Sequence, residues 1–329
     1  MLQFNSLIER IKTVRPDQFN DLALEIFELQ YHHNEVYQEW CSSLNKTPKN
    51  VSRLDEIPFL PIEFFKSHTI RTGQWQPRTT FESSGTTGKD TSKHFVKDET
   101  FYLENCRLGF ESVYGSLSEY VILALLPSYL ERGNSGLISM VNHFIQQTYS
   151  EHSGFYLNEF DELHEKLKFL QNGNKKVILW GVTFALLDFV ERHSLNFPDL
   201  IIMETGGMKG RREELVRSEV HAQLTAAFDV DMIHSEYGMT ELFSQAYSKG
   251  GGVFYPNATM KVIGRDVNDP LNYPVFDRTA AINVIDLANL FTCSFIETKD
   301  LGTVSEGGSF EVKGRMDNSD LRGCNLLVV

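Results

Sequence analysis

The chain predicts an α/β fold, a largely parallel sheet flanked by helices, with a β-rich section toward the C-terminus. Three observations carry this. Short apolar runs, VILALL at 121–126, VILW at 177–180 and LIIM at 200–203, have strand length and no polar alternation, as strands buried on both faces do. Amphipathic stretches of helical length alternate with them, and strand alternating with helix predicts βαβ units whose ligand sites lie at the carboxyl ends of the strands. From about residue 250 the texture changes to glycine turns and short strands.

Taken in order, residues 3–44 show helical periodicity in Leu7, Ile8, Ile11, Leu22, Leu24, Ile26, Phe27, Tyr37 and Trp40, followed by the proline-punctuated IPFLPIEFFKSH at 57–68. In the middle region FYLENCRLGFESVY, LISMVNHFIQQ, DELHEKLKFLQ, FALLDFVERH and GRREELVRSEVHAQL read as helices, and Met232–Ile233 as one more strand. The tail holds AAINVIDL, CSFIE and SFEVKGR as strands. The expected organisation is a helical N-terminal segment over 1–80 packed on the main domain, an α/β core over 81–250 and a β-rich section over 251–329.

With 329 residues, 41% of them hydrophobic, the chain is long enough for a substantial core. Its net charge of −13 argues against partners that are polyanions, nucleic acid and anionic membrane alike. The four cysteines, Cys41, Cys106, Cys293 and Cys324, lack Cys-x-x-Cys spacing, so neither a zinc site nor a disulfide framework is expected, and the first three read as packing. No signal-peptide pattern and no apolar run of the roughly 20 residues that span a bilayer are present, making cytoplasmic the default expectation.

SSGTTGKD at 83–90 is the stretch with most chemistry in it. Small residues beside a lysine offer backbone N–H groups and hydroxyls that wrap a phosphate, and they equally make an ordinary surface turn. The spacing is not that of a Walker A loop. ILWGVTFALLDF at 178–189 and ETGGMKGRREEL at 204–215 read as strand, glycine turn and helix. HSEYGMTE at 234–241 puts an aromatic ring, a glycine, a hydroxyl and a carboxylate within five residues, after a buried strand; TKDLGTV at 298–304 sets an acid in a turn, and GRMDNSDLRGCN follows at 314–325. His234 reads either as site-facing or as a hydrogen-bonded structural residue, His94 as contacting substrate or as a solvated loop residue, and Asp161, His164 and Glu165 as a charged helix face.

In this order the motifs resemble the adenylate-forming superfamily of acyl-CoA synthetases, adenylation domains and luciferases, over residues 81–325. The resemblance implies the large N-terminal domain of that fold. It further implies that Ser83, Ser84, Gly85, Thr86, Thr87, Gly88 and Lys89 hold the β- and γ-phosphates of ATP. By the same resemblance Tyr237 would stack on adenine, Thr240 would meet the α-phosphate, Glu241 would hold Mg2+, Asp300 would take the ribose hydroxyls with Arg315 behind it, and Gly206 and Gly207 would let backbone approach the adenine. The resemblance would have Trp180 to Phe184 help wall the acyl group and LPSYLERGNSGLI at 126–138 border it. Family members continue past the Gly-Arg-x-Asp hinge into a lid domain, and this chain stops at Val329, so a C-terminal lid is expected to be absent.

The ending, the helical N-terminus and FLPIEFFK at 59–66 resemble LuxE-type acyl-protein synthetases more narrowly. That likeness implies ATP-dependent activation of a carboxylic acid, a fatty acid in that family, with acyl transfer to a thiol. It makes Cys324 the candidate acyl carrier and an acyl-reductase or carrier protein the candidate partner, while a small residue packed in a terminal strand describes Cys324 equally well. Two other functions stay open from sequence: an ATP-independent acyltransferase using a ready-made thioester, and an adenine-nucleotide-binding subunit.

Overall fold

The structure, a computed structural model, describes residues 2–83, 91–126, 134–206 and 215–316. By internal packing the chain divides into two units, Met1–Gln74 with Ala258–Val329, and Trp75–Asn257.

In the first unit the periodic N-terminal stretch becomes α1 (Leu2–Lys12), α2 (Phe19–His33) and α3 (Glu35–Ser43), followed by the two-residue β1 (Leu60–Pro61) and the short α4 (Phe64–Ser67). Asn34 separates α2 from α3 and caps the latter, its side-chain oxygen accepting from Tyr37 N at 3.1 Å. Leu22, Ala23, Ile26, Phe27 and Leu29 bury the core-facing side of α2. One polar residue on that helix fixes it to the far end of the chain. Gln30 Nε2 donates to Asn289 O at 3.1 Å and to Ser294 Oγ at 3.2 Å, while Ser294 N donates back to Gln30 Oε1 at 2.9 Å. A fully satisfied buried amide of this kind specifies one docking of the helix, because any other leaves it unpaired.

The second unit opens with the antiparallel pair β2 (Thr79–Glu82) and β3 (Lys93–Val96), and then α5 (Glu99–Tyr114), capped by Asp98 and ended at Gly115 with φ +86°. Its sheet comprises β4 (Tyr120–Leu125), β5 (Gly154–Tyr156), β6 (Lys176–Val182), β7 (Ile201–Thr205), β8 (His234–Tyr237), β9 (Ala246–Ser248) and β10 (Val253–Pro256). The spatial order is β10-β9-β8-β7-β6-β4-β5, parallel from β8 through β5 and antiparallel at β9 and β10. The crossovers are α6 (Gly136–Gln147), α7 (Phe160–Leu170), α8 (Thr183–Val190) and α9 (Arg217–Phe228). α5 and α6 cover the face that carries Trp180, whose ring lies 6.2 Å from Phe110 and 5.9 Å from Phe144. Gly181, the next residue, points the other way, and a Cβ there would stand 2.6 Å from Leu186 of α8.

Returning to the first unit, β11 (Met260–Arg265), β12 (Thr279–Asp286), β13 (Phe295–Val304) and β14 (Phe310–Arg315) run antiparallel in that order, with β1 parallel to β13. Register shifts interrupt β13 against both neighbours. Gly302 sits at one of them, where a Cβ would fall 1.9 Å from Glu311 O, so that approach of two backbones requires glycine.

The α/β class and the β-rich C-terminal strands are those the sequence predicts, and four local readings need correction. Met232 and Ile233 are not a strand; the strand is His234–Tyr237, the first half of HSEYGMTE itself. Its own residues are too polar to announce a buried strand, and its burial comes from β7 and β9 on either side. Gly181 lies within β6, not in a turn. The helix read from residue 210 begins, among the described residues, at Arg217. Asp300 lies inside the ten-residue β13, not in a turn.

Candidate active site

At the carboxyl ends of the parallel strands the second unit brings several motif residues together. β7 ends at Thr205 and is followed by exposed Gly206, with nothing within 4 Å of the position a Cβ would take. β8 ends at Tyr237, half covered on one side by the Phe254 ring 5.9 Å away and only 8% exposed. Thr205 Oγ1 donates to Glu236 Oε2 at 2.6 Å, locking the two strand ends side by side. Gly238 follows, where a Cβ would stand 2.5 Å from Glu236 Oε1. Its glycine identity therefore leaves room for a carboxylate.

Thr240 and Glu241 continue this edge, Thr240 half-buried and Glu241 buried. They are held from a distance of 146 residues. His94 on β3, wholly buried, donates from Nδ1 to Thr240 O at 2.8 Å, and its ring stacks on Phe243 with centroids 4.6 Å apart. The carbonyl accepts only, which fixes the proton on Nδ1. Asn105 Nδ2 on α5 donates to Phe243 O at 3.0 Å, gripping the same segment from the helix side. His94 is thus neither solvated nor idle: it ties the strand that follows residues 84–90 to the Thr240–Phe243 segment. At the base of β2 and β3, Ser92 N donates to Ser83 Oγ at 2.9 Å and Ser83 N to Ser92 O at 3.1 Å. Ser83 thus holds the ends of β2 and β3 together next to residues 84–90.

Ser84, Gly85, Thr86, Thr87, Gly88, Lys89, Gly207 and Cys324 lie outside the described residues, as do 127–133 of the stretch expected to border the acyl group. Asp300 and Arg315 belong to the first unit, where they are direct cross-strand partners on β13 and β14 with Arg315 Nε 3.7 Å from Asp300 Oδ1. The backbone beneath them is anchored. Asp300 N donates to Thr298 Oγ1 at 3.1 Å, Thr298 Oγ1 to Ile282 O at 2.7 Å, and buried Arg265 Nη2 to Thr298 O at 3.1 Å.

The remaining expectations divide cleanly. Cys41, Cys106 and Cys293 are buried free thiols, with burial pushing Cys41 up to about 12, so they pack and do not react. His234 meets the Tyr114 hydroxyl at 3.1 Å, and burial, with Lys249 adding to it, holds its imidazole down at about 4, so it is neutral. Among the described residues no group of three or more His, Cys, Asp and Glu is placed to hold a metal. None of their helices is long and apolar enough to cross a membrane.

Sequence reading missed Glu236, Thr205, Glu204, Gln245 and Tyr247. Glu204 accepts from the Thr183 hydroxyl and from Ser235 Oγ at 3.3 Å. The signal available for Glu236 was its position one residue before Tyr237: an acid inside a buried strand needs a reason.

Two buried groups here titrate in opposite senses. Burial holds His94 down at about 4 in spite of its carbonyl partner. Burial first, with the Glu204 charge adding and the Thr205 hydroxyl opposing, pushes Glu236 up to about 7. Between pH 4 and 6.5 the unfolded chain binds a proton at residue 94 that the folded chain lacks, so this contribution to stability rises with pH. Between pH 4.5 and 7 the folded chain keeps a proton on Glu236 that the unfolded chain has lost, so that contribution falls with pH. Each amounts to about 3 kcal/mol over its window, and the two offset. Glu236→Gln removes only the second. Its stability relative to wild type, measured by urea denaturation, is expected to climb from pH 4.5 to 7; parallel curves for the two proteins would refute the raised carboxyl.

A family model described as "Acyl-protein synthetase, LuxE" matches residues 12–329. No curated protein matches the chain. Among solved structures, a 2-hydroxyisobutyryl-CoA ligase in complex with 2-HIB-AMP and CoA superposes with a TM-score of 0.67 at 10% identity, over 94% of this chain and 71% of that one. ATP-bound MatB from Rhodopseudomonas palustris gives a TM-score of 0.53 at 16% identity, over 84% of this chain and 56% of that one, so the chain spans little more than half of MatB. At these identities the likeness is one of fold, and the fold is that of the adenylate-forming acyl-CoA ligases.

Proposed function

This chain belongs to the LuxE acyl-protein synthetase family, and from that premise we propose that it activates a carboxylic acid with ATP as an acyl-adenylate and passes the acyl group to a thiol. The observation that carries this reading is the assembly at the carboxyl edge of the second unit: exposed Gly206, the Tyr237–Glu241 segment, and the His94 to Thr240 bond that fastens β3, the strand following residues 84–90, to it.

In the first step a carboxylate oxygen bonds to the α-phosphorus, and the bond from that phosphorus to the bridging oxygen breaks, releasing pyrophosphate. No general base is needed, because a carboxylate is ionised at neutral pH. The task of the protein is to bring anions together, by positioning and charge neutralisation. Ser83 to Gly88 and Lys89 would hold the β- and γ-phosphates. Thr240, its carbonyl fixed by His94, would present its hydroxyl to the α-phosphate. Tyr237 and the backbone at Gly206 and Gly207 would flank adenine, and Asp300, braced by Arg315, would take the ribose hydroxyls. Magnesium is usually bound through one or two carboxylates plus substrate phosphates, so the single buried Glu241 fits as its protein ligand without a larger cluster. When bound, the ion would offset phosphate charge.

In the second step a thiolate attacks the acyl carbon, the thioester forms and AMP leaves with the bonding pair. Cys324 is the candidate thiol within the chain, and an acyl-reductase or carrier protein the candidate acceptor beyond it. Incubation with ATP, Mg2+ and a panel of fatty, hydroxy, amino and aromatic acids is expected to give acid-dependent pyrophosphate exchange. Exchange with none of them would overturn the adenylation reading. An acyl label released by hydroxylamine and lost in Cys324→Ser would assign the thioester; its persistence in that variant would place it elsewhere.

A further inference from the structure

Three polar side chains share one face of the β8 and β9 pair, beneath Gly238. Glu236 and Tyr247 are direct cross-strand partners, and Gln245, two residues before Tyr247, projects to the same side. All three are buried. The Gly238 backbone marks where they meet, since a Cβ on it would stand 2.5 Å from Glu236 Oε1 and 3.6 Å from Gln245 Cγ.

Their hydrogen bonding is incomplete. Glu236 uses Oε2 for the Thr205 hydroxyl. Gln245 donates from Nε2 to Phe243 O at 3.3 Å, which leaves Oε1 as its unused atom. Gln245 Oε1 and Tyr247 OH have no partner among the described residues, although the side chains are 3% and 1% exposed. On the same face Trp180 Nε1 is likewise buried and without a partner there. Such atoms are rare in folded proteins, and several on one face call for a ligand that satisfies them. The surroundings are aromatic: the Tyr247 ring lies 6.0 Å from Phe110 and 5.7 Å from Tyr114.

We infer that Glu236, Gln245 and Tyr247 form the polar wall of the acyl subsite, and that the acid activated by this chain carries a hydrogen-bond donor, a hydroxyl or an amino group, on its acyl portion. The inference rests on the adenylation reading and narrows it away from unsubstituted fatty acids. Gln245 presents an acceptor oxygen, the Tyr247 hydroxyl can donate or accept, and Glu236, whose carboxyl burial raises, is an acceptor once it ionises and meets an ammonium group best in that form. An alkyl chain seated there would leave these buried groups unpaired, whereas a hydroxyl or ammonium pairs with them. Sites built to hydrogen-bond a substrate group discriminate strongly against analogues that lack it.

The test uses matched acids: butanoate with 3-hydroxybutanoate and 3-aminobutanoate, and hexanoate with 6-hydroxyhexanoate and 6-aminohexanoate. In pyrophosphate exchange at least one hydroxy or amino acid is expected to exceed its alkyl counterpart in kcat/KM by about tenfold or more. In Gln245→Leu, and in Tyr247→Phe, which removes a single oxygen, that ratio is expected to fall to within about threefold of unity. Alkyl acids equal or superior in the wild type would overturn the inference, as would a ratio untouched by both variants. A second readout separates this from failure of the activation reading. Thermal stabilisation by a hydroxy or amino acid but not its alkyl counterpart, abolished in Tyr247→Phe and seen without any exchange, would keep the subsite and reject adenylation. No selective stabilisation and no exchange would reject both.

Discussion

Replacing Glu241 by glutamine is expected to lower acid-dependent pyrophosphate exchange by about 10²- to 10³-fold, the range seen when one preorganised electrostatic contact to the reacting centre is removed. The substitution keeps shape and one acceptor oxygen, exchanges the other for an amide donor and deletes the charge. Glu241 is buried and stands one residue beyond a carbonyl clamped by a buried histidine, so its position is set by the fold and not by the ligand. The measurement is exchange rate against Mg2+ concentration, with the melting temperature as control. Exchange within about threefold of wild type in a well-folded variant would remove Glu241 from the chemistry.

The largest effect on stability is expected from Arg265→Met. Arg265 is buried on β11 and reaches Glu297 Oε1 at 3.1 Å, Asn283 Oδ1 at 3.2 Å and Thr298 O at 3.1 Å. Glu297 is itself mostly buried, and burial already raises its carboxyl against the pull of the arginine. Deleting the cation leaves that acid unpaired, which costs about 3–5 kcal/mol and lowers the melting temperature by on the order of 10 °C. The double variant Arg265→Met with Glu297→Leu is expected to recover most of the loss, because two apolar groups of matched size often replace a buried pair without penalty. Equal losses in the single and double variants would instead assign the stability to the bonds from Arg265 to the strand backbone. Function should follow, since Arg265 holds the carbonyl of Thr298, the residue whose hydroxyl accepts from Asp300 N.

The parts of the fold that can be read from sequence are those whose signal is local. VILALL, VILW and LIIM become β4, β6 and β7 within a residue or two, because a parallel strand buried on both faces is a continuous apolar run. β8 escapes the same reasoning: HSEY owes its burial to neighbours more than thirty residues away on β7, and its acid to a threonine there. Asp300 was misread as a turn because the Gly302 beside it marks a register shift, and glycine in an interrupted strand looks like glycine in a loop. The grip of His94 on Thr240 and of Gln30 on Asn289 and Ser294 was out of reach, since nothing in either local sequence names a partner 146 or 264 positions away. Of the candidate site, the motif residues Gly206, Tyr237, Thr240 and Glu241 can be named from sequence and the structure brings them to one edge, whereas the polar groups around them carry no local signal.

The return of β9 alongside β8 has an evolutionary consequence. Within the fifteen positions from His234 to Ser248 lie the ring expected at the base, the acid expected at the phosphates, and the trio facing the acyl group. Selection can therefore retune what this enzyme accepts by exchanging one contiguous cassette, and a graft of that cassette between paralogues is the smallest unit in which a preference for one acid over another would travel.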